Sequence, residues 1–498
     1  MNTPLVERAW PGLDVSGATI LVTGFGVSGY AVADQTMQRG ARVVVVDANA
    51  SKENLEKKRI LENLGVDVRL GKEHTQALPA DVAPDVVVTS PGWRPDQPLL
   101  LQATEQNIPI WSEIELARRM QPVDGPAWLA VTGTNGKTTV VTMLEAILNA
   151  AGLRACAAGN VGQPLIEAVL HPEPFDVIAL ELSSFQLHWT EHLMCAASCV
   201  LNVSEDHIDW HGSMDEYAAA KGKIHDDCER AVIYNQADER TLRAVEEADV
   251  VEGCRAIGIT LGSPGLSELG VVDGLLVDRA FVENRATHAA ELCTLEDIAH
   301  LGAHGAPPHV VLDALAAAAL ARSYGVPAQA VRDGLRSYGL GGHRSELVAR
   351  SEEIFYIDDS KATNPHAAAA SLRSNRPENG SVVWIAGGLA KGAHFGDLVA
   401  NAGQGLRGVV LIGQDQRELA AALAEHAPDT PVEKVRPLAE GEDSSRIMHD
   451  AVAYARSLAQ PGDAVLLAPA CASMDQFRSY AQRGELFAQA VRDCRNDA

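Results

Sequence analysis

One segment constrains this chain more than any other: Gly133-Thr134-Asn135-Gly136-Lys137-Thr138-Thr139. It follows the apolar run Trp128–Val131 and opens an amphipathic pattern carrying Val141, Leu144, Ile147 and Leu148. A glycine-rich turn between strand and helix lets backbone N–H groups wrap phosphate oxygens at a helix N-terminus. Lys137 would neutralise β/γ-phosphate charge, and Thr138 would ligate Mg2+. The strict spacing asks for glycine at 131, where this chain has Val131, so the loop is a variant. The bland alternative is a threonine-rich helix cap with a chance Gly-Lys. ATP is the expected ligand.

Around this loop the chain alternates strand and helix, the pattern of parallel sheets covered by helices. At about 100–200 residues per domain, 498 residues suggest three domains and leave two or four open. Strands are expected at Ala18–Thr23, Arg42–Val46, Val66–Leu70, Asp85–Thr89 and Ile108–Trp111. The Pro/Gly-rich Gln121–Pro126 reads as a linker. A second block has strands at Trp128–Val131, Val177–Leu182, Cys199–Val203 and Ala231–Tyr234. Its helices are expected at Thr138–Ala151, Met214–Asp226, Pro308–Tyr324 and Ala328–Tyr338. Gly339–Gly342 breaks the pattern. A third block has strands near Ile354–Ile357, Ser381–Ala386, Gly408–Ile412 and Ala464–Leu467. The expected domains are therefore 1–122, 123–342 and 343–498. Residues 238–300 have weak periodicity and resist placement.

Composition narrows the function. The net charge is −25, which argues against a nucleic-acid partner, since such proteins carry a basic face. Eight cysteines, at 156, 195, 199, 228, 254, 293, 471 and 494, form no CxxC. They are expected to be reduced thiols in a cytoplasmic protein. No signal peptide or membrane span is expected.

Several further motifs could carry chemistry. Gly24-Phe25-Gly26-Val27-Ser28-Gly29 joins a strand to a helix, and Asp47 ends the next strand. That arrangement suits a nucleotide diphosphate on the backbone and a ribose on the carboxylate, or else a plain tight turn. Glu181 ends a strand beside the phosphate-loop strand, where Mg2+ is commonly held, although strand-end glutamates are common. His207, Asp209 and His211 alternate in SEDHIDWHG; one histidine at a magnesium-phosphate site is a better reading than a zinc cluster. Lys221 on its own reads as a surface lysine. In the third block, Asp359–Asn364, Gly387–Lys391 and Pro469–Phe477 each follow a predicted strand, where open α/β sheets bind ligands.

Taken in order, GTNGKTT, GNVG (Gly159–Gly162), ELSSFQ (Glu181–Gln186), NVSEDHIDWHGS (Asn202–Ser213) and AAK (Ala219–Lys221) resemble the Mur ligases. DSKATN and PACASMDQF resemble the D-glutamate-adding members of that family, over residues 18 to 488. The resemblance implies an α/β protein of three domains: a Rossmann-like UDP-binding domain, a central P-loop ATPase domain and a Rossmann-like amino-acid-binding domain. It implies an ATP-dependent amide ligase whose partners are UDP-N-acetylmuramoyl-L-alanine, D-glutamate and ATP, acting as a monomer.

Carried over by motif, the UDP-sugar site would be Gly26, Val27, Ser28, Asp47, Ser90, Pro91, Gly92 and Asn160. ATP would meet Gly133, Thr134, Asn135, Gly136, Lys137, Thr138, Thr139, Asp313, Arg344 and Asp359. Two Mg2+ would be held by Thr138, Glu181, His207 and Lys221, the last as a carbamylated lysine. Lys137, His207 and Lys221 would be catalytic, with His207 also a candidate base. D-glutamate would meet Lys361, Thr363, Lys391, Ser473, Met474 and Tyr480. Asp313 departs from an asparagine common in the family, and Tyr480 replaces another aromatic.

Three alternatives stay open at this point. One is a sister amide ligase with another amino acid. The second is an NAD-dependent oxidoreductase built on the first glycine-rich turn. The third is a nucleotide-sensing module without catalysis.

Overall fold

The computed structural model describes residues 5–302, 305–339, 342–377, 379–390, 392–439 and 441–496. By compactness the chain divides into two units, 1–293 with 312–337, and 294–311 with 338–498. Among the described residues no helix is long and apolar enough to cross a membrane.

The first unit holds two sheets. In the first, the order is Asp67–Leu70, Arg42–Asp47, Thr19–Thr23, Val86–Thr89 and Ile110–Ser112, every pair parallel. Such strands are buried on both faces, which is why they read as valine runs rather than alternating patterns. Val43–Val46 and Val86–Val88 are almost wholly buried. Strand Thr19–Thr23 lies where the order reverses, so the turn that follows it faces the crevice where such sheets take ligands. That turn is the GxGxxG segment. Gly24 has φ +96°, and a Cβ on Gly29 would lie 2.0 Å from the Gly24 carbonyl oxygen.

The second sheet is built on Ala127–Thr132, flanked by Val177–Glu181 and Ala197–Val200. Ala155–Gly159 lies beyond the first of these and Ala231–Asn235 beyond the second. Residues 238–300, unplaced in the sequence, form helix Glu239–Glu246 and the strands Arg255–Ile259, Glu268–Val272, Leu275–Asp278 and Ala290–Thr294. The last four extend the same sheet. They are short and partly antiparallel, so no single period runs through them.

The two sheets of this unit are joined by buried carboxylates on helix Glu113–Met120. Glu113 accepts from the Ile166 amide at 2.8 Å, and burial pushes its carboxyl up to about 7. Glu115 accepts from the amides of Glu191 and His192 and pairs with Arg119.

The second unit carries a sheet ordered Glu346–Ser351, Ile354–Asp358, Ala464–Leu467, Val382–Gly387, Leu406–Ile412 and Val432–Lys434. Only the first pair is antiparallel. Trp384 is fully buried at its centre and donates to the Ala468 carbonyl at 2.7 Å.

Two glycines of the first turn should behave oppositely. Gly29→Ala should cost roughly 1–3 kcal/mol, because the backbone must shift to clear the Gly24 carbonyl. Gly26→Ala, with nothing within 4 Å of its Cβ position, should change stability by less than about 0.5 kcal/mol. Urea denaturation of both variants checks this; equal stability would contradict the packing.

Candidate active site

The phosphate loop leaves strand Ala127–Thr132 and enters helix Lys137–Ala150. Its shape depends on Gly136, at φ +86°, and leaves no room for a Cβ there: one would lie 2.5 Å from Asp313 Oδ1. The loop is braced from the neighbouring strand end. Asn202 Oδ1 accepts from the Asn135 amide at 2.9 Å, and its Nδ2 donates to the Asn135 carbonyl at 3.1 Å. Thr134 Oγ1 accepts from the Ser204 amide at 3.0 Å and bonds the Tyr217 hydroxyl at 3.1 Å.

Two lysines meet on one carbonyl of this loop. Lys137 Nζ donates to Gly133 O at 2.8 Å and to Thr134 O at 3.0 Å. Lys221 Nζ donates to the same Gly133 O at 2.9 Å. Lys221 is not the surface residue it would be by default. It is 1% exposed and lies 4.6 Å from the centre of the Tyr217 ring. Burial first, then the Lys137 charge, holds its amine well below the ordinary lysine value, while Asp206 and Glu181 oppose the shift.

Glu181 is also buried. One oxygen accepts from Asn160 Nδ2 at 2.8 Å. The other, Oε2, is buried with no hydrogen-bond partner among the described residues. An unsatisfied buried carboxylate oxygen is costly, and a cation would satisfy it, so the residues present fit Mg2+. The loop Thr138 stands one residue beyond Lys137 at the helix start.

His207 sits at φ +55°, with its ring against Phe185 at 4.7 Å and Tyr217 at 6.4 Å. The alternating His207, Asp209 and His211 do not converge. Asp209 faces Arg94, and His211 Nε2 bonds Ser184 Oγ at 2.9 Å. His211 is pushed down to about 4 by burial and then by nearby His188 and Lys221. Among the described residues, one group of three His, Cys, Asp or Glu side chains has ligand atoms within 4.8 Å of one another. It is His343, Glu346 and Asp358, on the other unit.

At the first turn, Val27 is 69% exposed and Gly92 has open space around it. Asp47 is occupied: its oxygens accept from the Phe25 amide at 2.5 Å and the Asn49 amide at 2.7 Å. It therefore shapes the turn as well as facing it. Ser90 packs on Gly24, whose Cβ position is 2.5 Å from Ser90 Oγ. Pro91 follows it. Asn160 lies in the second sheet's loop and is tied to Glu181 through both side chain and backbone.

On the second unit, Asp359 is half-buried, and desolvation pushes its carboxyl up to about 6 although Ser371 and Ser345 donate to it. Arg344 lies close enough to act on it electrostatically. Lys361 Nζ stands 4.0 Å over the Tyr480 ring, and the Thr363 amide donates to the Lys361 carbonyl at 2.8 Å. Ser473 is buried, and Met474 is 67% exposed. The turn after Val382–Gly387 approaches this loop so closely that a Cβ on Gly388 would lie 2.4 Å from the Ala472 carbonyl oxygen. Lys391 lies outside the described residues.

Comparison with known proteins identifies the family. Three family models match in sequence: the Mur ligase MurD-like N-terminal domain over 18–112, the Mur ligase middle domain over 131–265, and the Mur ligase glutamate ligase domain over 343–471. The chain belongs to the Mur ligase family.

A relative in Streptomyces avermitilis, named UDP-N-acetylmuramoylalanine--D-glutamate ligase, is 52% identical over 476 residues, 96% of this chain and 98% of its own. One of the same name in Mycobacterium avium is 42% identical, covering 96% of each chain. The crystal structure of a UDP-N-acetylmuramate-alanine ligase from Thermotoga maritima shares the fold, with a TM-score of 0.55 at 19% identity, over 96% of this chain and 100% of its own.

The structure adds residues to this candidate site that sequence reasoning passed over. Tyr217 touches Lys221, His207 and Thr134, yet in sequence it is one aromatic on a helix. Asn202 clamps the phosphate loop from inside a quoted motif. Asp206 is paired with His207, 3.6 Å from its Nε2. A fourth, His225, supports the segment that follows Lys221. Its Nδ1 bonds Ser198 Oγ at 2.8 Å, and burial pushes it down to about 3.

His225 sets a pH dependence. The unfolded chain binds a proton at this ring below about pH 6.5, and the folded chain does not until about 3. Stability should therefore fall as pH drops through that window, by up to about 1.4 kcal/mol per pH unit. A His225→Leu variant should lack this slope. Urea denaturation from pH 4 to 7 measures it, and identical slopes would contradict a neutral buried ring.

Proposed function

We propose that this chain is an ATP-dependent amide ligase that adds D-glutamate to UDP-N-acetylmuramoyl-L-alanine, in the cytoplasmic synthesis of the peptidoglycan precursor. The observation that carries the chemistry is the pair of lysines on the Gly133 carbonyl, at a loop built for phosphate. The choice of substrates is supported by relatives of that name over nearly the whole chain.

A carboxylate is a poor electrophile. Its oxygen attacks the γ-phosphorus of ATP, ADP leaves, and the L-alanyl carboxyl becomes an acyl phosphate. The amine of D-glutamate attacks that carbonyl, and phosphate departs from the tetrahedral intermediate as the amide forms and the amine loses its proton. Phosphoryl transfer of this kind depends on positioning and charge neutralisation. Lys137 supplies positive charge at the loop, and the amides of Gly133–Thr139 hold the phosphate oxygens. Thr138, Glu181, His207 and Lys221 would hold two magnesium ions, which neutralise phosphate charge when bound.

Lys221 suits that role as a carbamate. Burial favours the uncharged form of its amine, the form that adds to CO2, losing a proton and becoming a carboxylate-like ligand. The negative carbamate would be attracted to the Lys137 charge beside it. His207 is the proposed base for the attacking amine.

On the second unit, Arg344 and Asp359 would contact the nucleotide. Lys361, Thr363, Lys391, Ser473, Met474 and Tyr480 would receive D-glutamate, whose two carboxylates call for cationic and hydroxyl donors. Gly26, Val27, Ser28, Asp47, Ser90, Pro91, Gly92 and Asn160 would hold the UDP-sugar.

Phosphate release from Mg·ATP and UDP-N-acetylmuramoyl-L-alanine, run against a panel of amino acids, tests the reaction. Release is expected with D-glutamate alone. Release only with L-alanine or meso-diaminopimelate would move the chain to a sister activity. Lys137→Ala should lower kcat by about a thousandfold or more, comparable to removing a preorganised charge-stabilising donor. Lys221→Ala should be nearly inactive, with partial recovery in added formate or acetate. A fully active Lys221→Ala would remove the carbamate from the mechanism.

A further inference from the structure

The candidate ligand residues of the second unit flank one buried chain of hydrogen bonds. His343 precedes Arg344, Asp358 precedes Asp359, Ser360 precedes Lys361, and Cys471 lies two residues before Ser473. Arg483, on helix Tyr480–Asn496, stands at the centre and is fully buried. Its Nε donates to Ser360 Oγ at 2.9 Å, Nη2 to Ser360 O at 2.8 Å and Nη1 to Cys471 O at 3.1 Å. Ser360 Oγ in turn donates to the Tyr480 carbonyl at 2.8 Å. The Ser360 amide donates to Asp358 Oδ1 at 2.9 Å, and Asp358 Oδ2 bonds His343 Nδ1 at 2.6 Å. Gly484 makes room for this, since a Cβ there would lie 2.2 Å from His343 Nδ1.

A buried guanidinium usually faces a carboxylate, because desolvating an unpaired charge is expensive. Arg483 spends its bonds on a hydroxyl and two carbonyls instead. Its fork is rigid and planar, so it fixes two loops that are more than a hundred residues apart in sequence. Both loops carry residues proposed for the amino acid: Lys361 and Thr363 on one, Ser473 on the other. Among the described residues no carboxylate bonds Arg483 directly, although the Asp475 and Asp358 charges act on it from farther away, so its fork serves the geometry of the loops that would hold the anion.

We infer that Arg483 is a positioning residue for the acceptor amino acid, locking the Ser360 and Cys471 loops into one arrangement that selects an anionic acceptor. It rests on the acceptor reading given above. A merely structural arginine would change the amount of folded enzyme, whereas KM is independent of that amount.

The test is steady-state kinetics of Arg483→Lys and Ser360→Ala, with the KM of each of the three substrates measured separately and melting temperature recorded. Lysine keeps the charge and loses the fork; alanine removes one node and leaves the arginine. The KM for D-glutamate should rise at least tenfold in both variants. Those for ATP and UDP-N-acetylmuramoyl-L-alanine should stay within twofold.

An unchanged D-glutamate KM in a folded variant overturns the inference, and so does an equal rise in all three constants. If Arg483→Lys fails to fold, Ser360→Ala decides alone. A wild-type enzyme that does not use D-glutamate sinks the acceptor reading and this inference with it. An active wild type with unmoved variants sinks the inference alone.

Discussion

Two cationic side chains share one backbone oxygen at the start of the phosphate loop. Gly133 O accepts from both Lys137 and Lys221, at 2.8 and 2.9 Å. Water cannot screen the pair effectively, because Lys221 is buried and the local dielectric is low. Lys137 reaches two carbonyls at a partly exposed helix start, and Lys221 lies under Tyr217, so burial and then the Lys137 charge hold the Lys221 amine well below its ordinary value. The rest of the first site is arranged around that result. Tyr217 holds Thr134 and covers Lys221, Asn202 fixes the loop apex, and Glu181 offers an unsatisfied oxygen nearby.

The second unit solves a comparable problem in another way. There a single guanidinium is buried among carbonyls and a hydroxyl, and its bonds tie two loops together. Asp358 is buried and Asp359 half-buried at the same strand end. Asp358 is committed to His343 and the Ser360 amide, while burial leaves Asp359 raised to about 6. Adjacent carboxylates thus have different duties, one inside the framework and one beside Arg344.

Much of this was legible in the chain. Every strand proposed for the three blocks exists within about two or three residues, because doubly buried parallel strands write themselves as apolar runs. The phosphate loop, Glu181 and the third-block loops all sit at strand ends, as expected from Gly-rich and polar segments following such runs. What escaped notice was whatever depends on contacts between distant segments. Lys221 is a surface lysine by helix pattern and a buried one in space. Asp47 reads as a ribose ligand, yet it also accepts amides within its own turn. Arg483 sits in a charged helix, and no spacing rule ties it to Ser360 or Cys471. Residues 255–294 were opaque because their strands are short, mix parallel with antiparallel pairing, and carry no repeated period.

The central claim is that the substrate carboxylate is phosphorylated before the amide bond forms. Labelling that carboxylate of UDP-N-acetylmuramoyl-L-alanine with 18O tests it directly. One labelled oxygen should appear in the inorganic phosphate released per amide formed, the other remaining in the product. Unlabelled phosphate, formed alongside product that retains both labelled oxygens, would contradict the account.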